Sequence, residues 1–275
     1  MPAVSETWSP ADPLDFTGMS VIVTGGTRGL GRVIARTFLD AGADVLVCAR
    51  NAPDSPVTSS DGERPAAFVA ADVRDANQVA AAVAAAVESA GRLDVLVNNA
   101  GGAPPADSAT VSPRFNEKIL ALNLTGPMTF SQAARRAMVD PSNPEGGGVI
   151  LNISSVSGSR PNPGGVAYGA AKAGLDNMGR TLAHEWGPEV RVVTVTVGLI
   201  LTEESGRFYG DAAGRAAIAG NLAMRRLGDP SEVADMCLVL ASPLARWVTG
   251  TSVEVHGGGE GPAYLSLADR DAAGD

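Results

Sequence analysis

Two side chains in the stretch Val166–Trp186 have the types and the spacing for proton chemistry: Tyr168 and Lys172, four positions apart. On a helix, positions i and i+4 share one face, so the phenol and the ammonium would emerge side by side. The chain holds 3 Tyr in 275 residues. With Lys118 and Lys172 its only lysines, chance gives about 0.02 Tyr-x-x-x-Lys pairs. A free phenol has a pKa of about 10, so at neutral pH it donates a proton but is seldom a phenolate. An adjacent ammonium stabilises the phenolate and lowers that pKa. Tyr168 then becomes a general acid for carbonyl reduction or a general base for alcohol oxidation. Ser155 stands at the exit of an expected strand, where its hydroxyl can bond the same substrate oxygen. Ser154 and Ser157 are neighbours that spacing does not separate from it. As a bare surface pair, Tyr168 and Lys172 would carry no chemistry.

A second constellation suits phosphate. Ser20–Thr24 (SVIVT) reads as a strand and runs into Thr24-Gly25-Gly26-Thr27-Arg28-Gly29-Leu30-Gly31. Gly25, Gly29 and Gly31 permit a tight turn and let backbone N–H groups approach a pyrophosphate at a helix N-terminus. Without a ligand, the same Gly-x-x-x-Gly-x-Gly run is a plain strand–helix turn. At the end of the second strand, a carboxylate would accept from the adenosine ribose and favour NAD. Here Ala49 is followed by Arg50, and Arg28 sits in the glycine loop. Two guanidiniums and no carboxylate suit a 2′-phosphate. NADP(H) is therefore expected ahead of NAD(H), unless both Arg are merely solvated.

These residues need a frame, and the apolar pattern supplies one. Ser20–Thr24, Asp44–Ala49, Ala66–Ala71, Leu93–Asn98, Val149–Ile153, Arg191–Val197 and Ser252–His256 read as strands. Several are apolar without alternation, as parallel strands covered on both faces are. Helical patterns cover Leu30–Asp40, Asn77–Ala90, Pro113–Val139, Val166–Trp186 and Ser231–Leu240. Strand–helix repetition predicts an α/β fold: a Rossmann-like, doubly wound, parallel seven-stranded sheet with helices on both faces, in a single domain. Residues 1–17 read as an N-terminal arm, 18–259 as the dinucleotide-binding and catalytic domain, and 260–275 as a tail. Val156–Gly165 and Leu199–Gly214 are too polar and too rich in Gly and Pro for core, and read as loops near the ligand-binding ends of strands.

Composition removes other classes. With 21 basic residues against 30 acidic, the net charge of −9 argues against wholesale nucleic-acid binding. No apolar run approaches the roughly 18 residues of a membrane span. Met1–Thr17 lacks the pattern of a secretory signal. Cys48 and Cys237 have neither disulfide nor metal-ligand spacing. A cytoplasmic location is expected, with no metal, membrane or nucleic-acid partner.

Thr24–Gly31, Asp72-Val73, Asn98-Asn99-Ala100-Gly101, Asn123, Ser155 and Tyr168-x-x-x-Lys172, in this order, resemble the short-chain dehydrogenase/reductase family from about Met19 to Gly259. The resemblance implies that Tyr168 is the catalytic acid/base and that Lys172 also binds the nicotinamide ribose. It implies that Ser155 orients the substrate carbonyl and that Asn123 holds a water in a proton relay. Gly25, Thr27, Arg28, Gly29, Leu30, Gly31 and Arg50 would meet the phosphates, Asp72 and Val73 the adenine, and Asn98, Asn99, Ala100 and Gly101 the adenosine. Ile200 and Thr202 would meet the cofactor from the last loop, Thr202 at the carboxamide. Read singly, Asp72 could be a helix cap, Asn123 a satisfied core amide, and Asn98–Gly101 a strand-ending turn. Two departures stand out: Val197-Gly198 replaces the family's Pro-Gly, which loosens the start of the substrate loop, and His256 replaces an Asp before the last Gly pair. His256 and His184 read as structural residues.

The family pattern nearest overall is a 3-oxoacyl thioester reductase, acting on carrier-protein or coenzyme A esters. Arg160, Arg207 and Arg215 could meet a phosphate-bearing ester. The alternatives are a coenzyme A-linked or free hydrophobic, steroid-like ketone and, from another class, a non-catalytic NADP(H)-sensing regulator. The resemblance further implies a homotetramer built from the Tyr168 helix and the last strand.

Overall fold

The computed structural model describes residues 12–143, 146–203, 205–262 and 264. Trp8, most of the N-terminal arm and most of the tail lie outside the described residues. All seven expected strands form: β1 (Ser20–Thr24), β2 (Asp44–Ala49), β3 (Ala67–Ala70), β4 (Val95–Asn98), β5 (Gly148–Ser155), β6 (Val190–Val197) and β7 (Ser252–Val255). They make one parallel sheet in the order β3-β2-β1-β4-β5-β6-β7. The order reverses between β1 and β4, and an open α/β sheet binds ligands in the crevice beyond the carboxyl ends of the strands at that point.

Apolar runs without alternation become strands buried on both faces; every residue of β1 and β4 is buried. On one face, α1 (Gly29–Asp40) and α8 (Pro230–Ala241) place Ile34, Phe38, Val233 and Leu240 against the sheet. On the other, α2 (Ala76–Ala90) and α4 (Gly126–Met138) contribute Val79, Val83, Phe130 and Met138. The ends of α2 follow from chemistry. Asp75 accepts from Asn77 and Gln78 N–H at its start, and Gly91, at φ 73°, closes it by donating to the Val87 carbonyl. Phe16 is buried and meets Phe38 of α1 edge-on at 5.2 Å, so the end of the expected N-terminal arm packs on the sheet domain.

Two expectations need correction. The continuous helix over Pro113–Val139 is instead α3 (Pro113–Leu120), a π-helical segment (Ala121–Thr125) and then α4. Pro127 has no N–H to give the carbonyl of Asn123 four residues back, which removes one α-helical bond where the ladder widens. The stretch Leu199–Gly214 is not all loop. It carries α6 (Gly206–Tyr209) and the start of α7 (Ala212–Gly220), which Asp211 caps by accepting from Gly214 N–H. The remaining helix, α5, runs over Val166–Trp186 as expected. Among the described residues, no helix is long and apolar enough to cross a membrane.

Candidate active site

Beyond β1, Asn99 braces the glycine loop: its side-chain amide donates to the Thr24 carbonyl at 2.9 Å and to the Gly25 carbonyl at 3.3 Å. The Thr24 hydroxyl accepts from Asn99 and Ala100 N–H at 3.0 and 2.9 Å, and Gly25 N–H donates to the Cys48 carbonyl at 2.7 Å. The packing is so close that a Cβ on Gly31 would stand 2.3 Å from Asn99 Nδ2 and 2.4 Å from the Gly25 oxygen. Where Asp75, Ser112, Asp211 and Asp229 cap α2, α3, α7 and α8, α1 starts after Arg28 with no side-chain cap, as α5 does after Gly165, but α1 alone of these two follows directly from the glycine loop beyond β1. Uncapped N–H groups and the helix dipole leave this start suited to a pyrophosphate. The residues present fit a dinucleotide.

Arg28 and Arg50 are both exposed at this end of the sheet, Arg50 directly after β2. Arg32, one turn into α1, braces the neighbouring loop by donating to the Pro56 and Ser55 carbonyls at 2.7 and 3.1 Å. Asp72 is gripped by Arg74, whose Nη2 lies 2.5 Å from Oδ2, and this bond holds its carboxyl below the usual range. Val73 is buried. Asn98 turns inward, donating to Ser131 Oγ and Asn152 Oδ1, both at 2.9 Å, so its side chain serves a buried amide network.

The proton-transfer residues meet at the end of β5. Ser154 and Ser155 point to opposite faces of the strand, as successive strand residues must. Ser154 is buried and donates to the Lys172 carbonyl at 3.4 Å. The Ser155 hydroxyl accepts from Ser157 N–H at 3.1 Å and bonds Tyr168, which separates it from the two serines that spacing left open. Lys172, buried one turn beyond Tyr168, donates from Nζ to the Ile153 carbonyl at 2.7 Å and lies 5.5 Å from the Tyr168 ring centroid. Burial lowers its pKa to about 8, with Asp176 opposing the fall. Burial also raises the Tyr168 phenol, the Ser155 bond opposing and Tyr209 adding to the rise. The expected lowering of Tyr168 by Lys172 is therefore corrected: the ammonium lies over the ring and bonds a carbonyl, and desolvation dominates. Such a phenol is held protonated, the form a general acid needs.

Asn123, in the π-helical segment, is wholly buried and exchanges bonds with Gly102: Oδ1 accepts from Gly102 N–H at 2.8 Å and Nδ2 donates to its carbonyl at 3.0 Å. A Cβ on Gly101 would meet Asn123 Oδ1 at 2.7 Å and Lys172 Nζ at 3.4 Å, so these three crowd together. Beyond β6, the loop is tied rather than loose. Ile200 bridges Gly228, and Leu201 N–H donates to the Gly228 carbonyl at 2.9 Å. Thr202 N–H donates to Ser205 Oγ at 2.6 Å. Gly198 is required by the close passage of His256, whose Cβ would lie 2.5 Å from a Cβ there; the His256 ring meets Glu254 at 2.9 Å. Sequence reasoning missed the braces Arg32 and Arg74, and it placed Thr24 in the motif without the bracing role of its hydroxyl. It also missed Glu260 as a partner of Arg160, 2.5 Å away, and no spacing rule signals that pair.

A family model described as Enoyl-(Acyl carrier protein) reductase matches residues 25–260. An uncharacterized oxidoreductase of Mycobacterium tuberculosis (strain CDC 1551 / Oshkosh) is 36% identical over 240 residues, covering 86% of this chain and 90% of its own. The 3-oxoacyl-[acyl-carrier-protein] reductase FabG of Vibrio harveyi is 33% identical, covering 89% of this chain and 98% of its own. The crystal structure of a chain assigned as a short-chain alcohol dehydrogenase from Sinorhizobium meliloti 1021 superposes with a TM-score of 0.83 at 34% identity, covering 93% of this chain and 99% of that one. The chain belongs to the short-chain dehydrogenase/reductase family. It is an oxidoreductase acting on CH–OH or C=O groups, in a family that uses a nicotinamide cofactor.

Proposed function

We propose that the chain is an NADP(H)-dependent reductase of 3-oxoacyl thioesters, interconverting ketone and secondary alcohol with Tyr168 as general acid/base. The observation that supports the ketone–alcohol chemistry is the convergence of Ser155, Tyr168 and Lys172 at the end of β5, in the same sheet crevice as the glycine cradle. A bound nicotinamide supplies the hydride. The segment Gly25, Thr27, Gly29, Leu30 and Gly31 would hold its pyrophosphate, Arg28 and Arg50 its 2′-phosphate, Val73 and Asp72 its adenine, and Asn99, Ala100 and Gly101 its adenosine. Lys172 would hold the nicotinamide ribose, with Ile200 and Thr202 beside the carboxamide. Tyr168 gives its proton to the carbonyl oxygen. The Ser155 hydroxyl, having accepted from Ser157, turns its own hydrogen toward the same oxygen. Asn123 keeps the Gly101–Gly102 backbone beside Lys172.

The likeness to the Vibrio harveyi reductase supports the thioester. A free hydrophobic ketone is the second reading, and specific contacts favour it. Arg160 is paired with Glu260, so its charge is not offered to a phosphate-bearing ester, and Arg215 commits one donor, Nη1, to the Gly210 carbonyl at 2.9 Å. The Arg207 side chain lies outside the described residues. Val166, Leu201 and Phe208 leave apolar surface in this region. Assembly as a homotetramer is part of the proposal, and Trp247, 93% exposed on the segment leading into β7, supports a contact there. A cytoplasmic place suits the two free, buried cysteines.

The test follows oxidation of NADPH and NADH with acetoacetyl-coenzyme A, a steroid ketone and a small diketone. NADPH-dependent turnover of the thioester is expected. Turnover of the other ketones alone moves the substrate class, and preference for NADH overturns the roles given to Arg28 and Arg50.

A further inference from the structure

Three segments outside the proton-transfer set meet at the loop that leaves Ser155, where Arg160 N–H donates to the Val156 carbonyl at 3.2 Å. One is the loop after β5, which leaves Ser155 through a 3-10 turn (Val156–Gly158) and carries Arg160. The second is α6, ending in Tyr209. The third is the chain beyond β7, which is sewn to the segment after α7. Met224 N–H donates to the Gly257 carbonyl at 3.1 Å, Ala223 N–H to Gly259 at 3.2 Å and Gly261 N–H to Asn221 at 2.8 Å, while Glu260 bridges Leu222. Across this seam, Arg160 Nη1 reaches Glu260 Oε1 at 2.5 Å, with the side chains 38% and 24% exposed. Tyr209 lies within electrostatic reach of both ends of the pair and of Tyr168.

An Arg left unpaired on the loop that leaves Ser155 would be a receptor for carboxylate, which it can grip with two parallel bonds. Glu260 takes that place. A substrate carboxylate arriving there must displace Glu260 or stand against it as a like charge, and both cost binding free energy.

We propose that the Arg160–Glu260 pair, with Tyr209 beside it, is a specificity filter that selects ketones uncharged around the reacting carbonyl, such as esters, thioesters and cyclic ketones, over keto acids. The inference rests on Tyr168 as the reacting centre. It extends that reading from what is reduced to what is turned away.

The test uses a matched pair of ketones, 4-acetylbenzoate and its methyl ester, with the full chain and saturating NADP+. Dissociation constants come from NMR titration, and turnover with NADPH is read in parallel. The native chain is expected to bind the ester more tightly. Glu260→Gln keeps the side chain's shape and frees the guanidinium charge. It should move the ratio of dissociation constants toward the carboxylate by about tenfold, the size of one charge-assisted bond at a partly exposed site. Arg160→Gln leaves Glu260 unpaired and should move the ratio the other way. Glu185→Gln, exposed near the end of α5, makes the same change in net charge and should not move it. A purely structural role would weaken both ligands equally. A native preference for the carboxylate, or a ratio unmoved by Glu260→Gln, overturns the filter. Failure of the native chain to reduce any ketone overturns the reaction, while the binding ratio still decides the filter, so the two claims fail separately.

Discussion

Gly31→Ala puts the geometry of the cradle to a quantitative test. A Cβ at position 31 would stand 2.3 Å from Asn99 Nδ2 and 2.4 Å from the Gly25 oxygen, distances at which something must move. If the Asn99 amide moves, its bonds to the Thr24 and Gly25 carbonyls go with it, at about 1 kcal/mol each. If Gly25 moves, its bond to the Cys48 carbonyl is strained and the loop leaves the sheet edge. The sum is about 2–4 kcal/mol, taken from folding, from cofactor binding or from both. Thermal melts and fluorescence titration of NADPH separate the two. The expected result is a Tm about 5–10 °C lower, or an NADPH Kd weaker by roughly 30-fold or more. Gly29→Ala is the comparison. Its Cβ meets nothing nearer than Glu203 at 3.9 Å and bears only the strain of φ +52°, about 1 kcal/mol, so it should lower the Tm less. A Gly31→Ala chain that melts and binds NADPH like the native one refutes this reasoning, as would a larger loss of Tm for Gly29→Ala.

Three further expectations follow from burial. Lys172 titrates near 8 in the folded chain against an ordinary 10.5. Reductive kcat/KM should therefore fall along a single-proton limb centred near pH 8 in a pH–rate profile. In the window between those two values the folded chain holds fewer protons than the unfolded one, so stability from this group rises with pH, which denaturant melts at both ends would show. Cys48 and Cys237 are pushed up to about 12 by burial; a thiol reagent at pH 8 should label neither until denaturant is added, and rapid native labelling would contradict their placement. Asn98→Ala strips the donor from Ser131 and Asn152, and calorimetry should register a loss of about 2–3 kcal/mol.

The strands and the long helix bearing Tyr168 could be read from sequence because each depends on a local period and a local stop, such as the apolar run of β1 or Gly91 after α2. The π-helical segment could not, since it changes the ladder without changing the pattern of apolar residues. The glycines at 25, 29 and 31 and Tyr168-x-x-x-Lys172 were legible as chemistry because their spacing survives folding. What each amide does was not: Asn98 and Asn99 are adjacent, yet one faces a buried network and the other braces the glycine loop. That division depends on which side of β4 each side chain leaves. The sign of the Tyr168 shift was hidden too, because it is set by how deeply the helix is covered, and sequence spacing does not carry depth. Arg160 and Glu260 are a hundred residues apart and meet only because the chain beyond β7 returns to the end of α7.

Tyr168→Phe isolates the proton donor. It removes one hydroxyl, the atom assigned to proton transfer, and leaves the ring under Lys172 and the glycine cradle in place. With NADPH and whichever ketone the native chain reduces, turnover should fall by at least about 100-fold, while NADPH binding by fluorescence stays within about threefold. Turnover within tenfold of the native rate would show that Tyr168 is not the acid, and loss of NADPH binding in step with turnover would contradict the separation of cofactor cradle from proton donor.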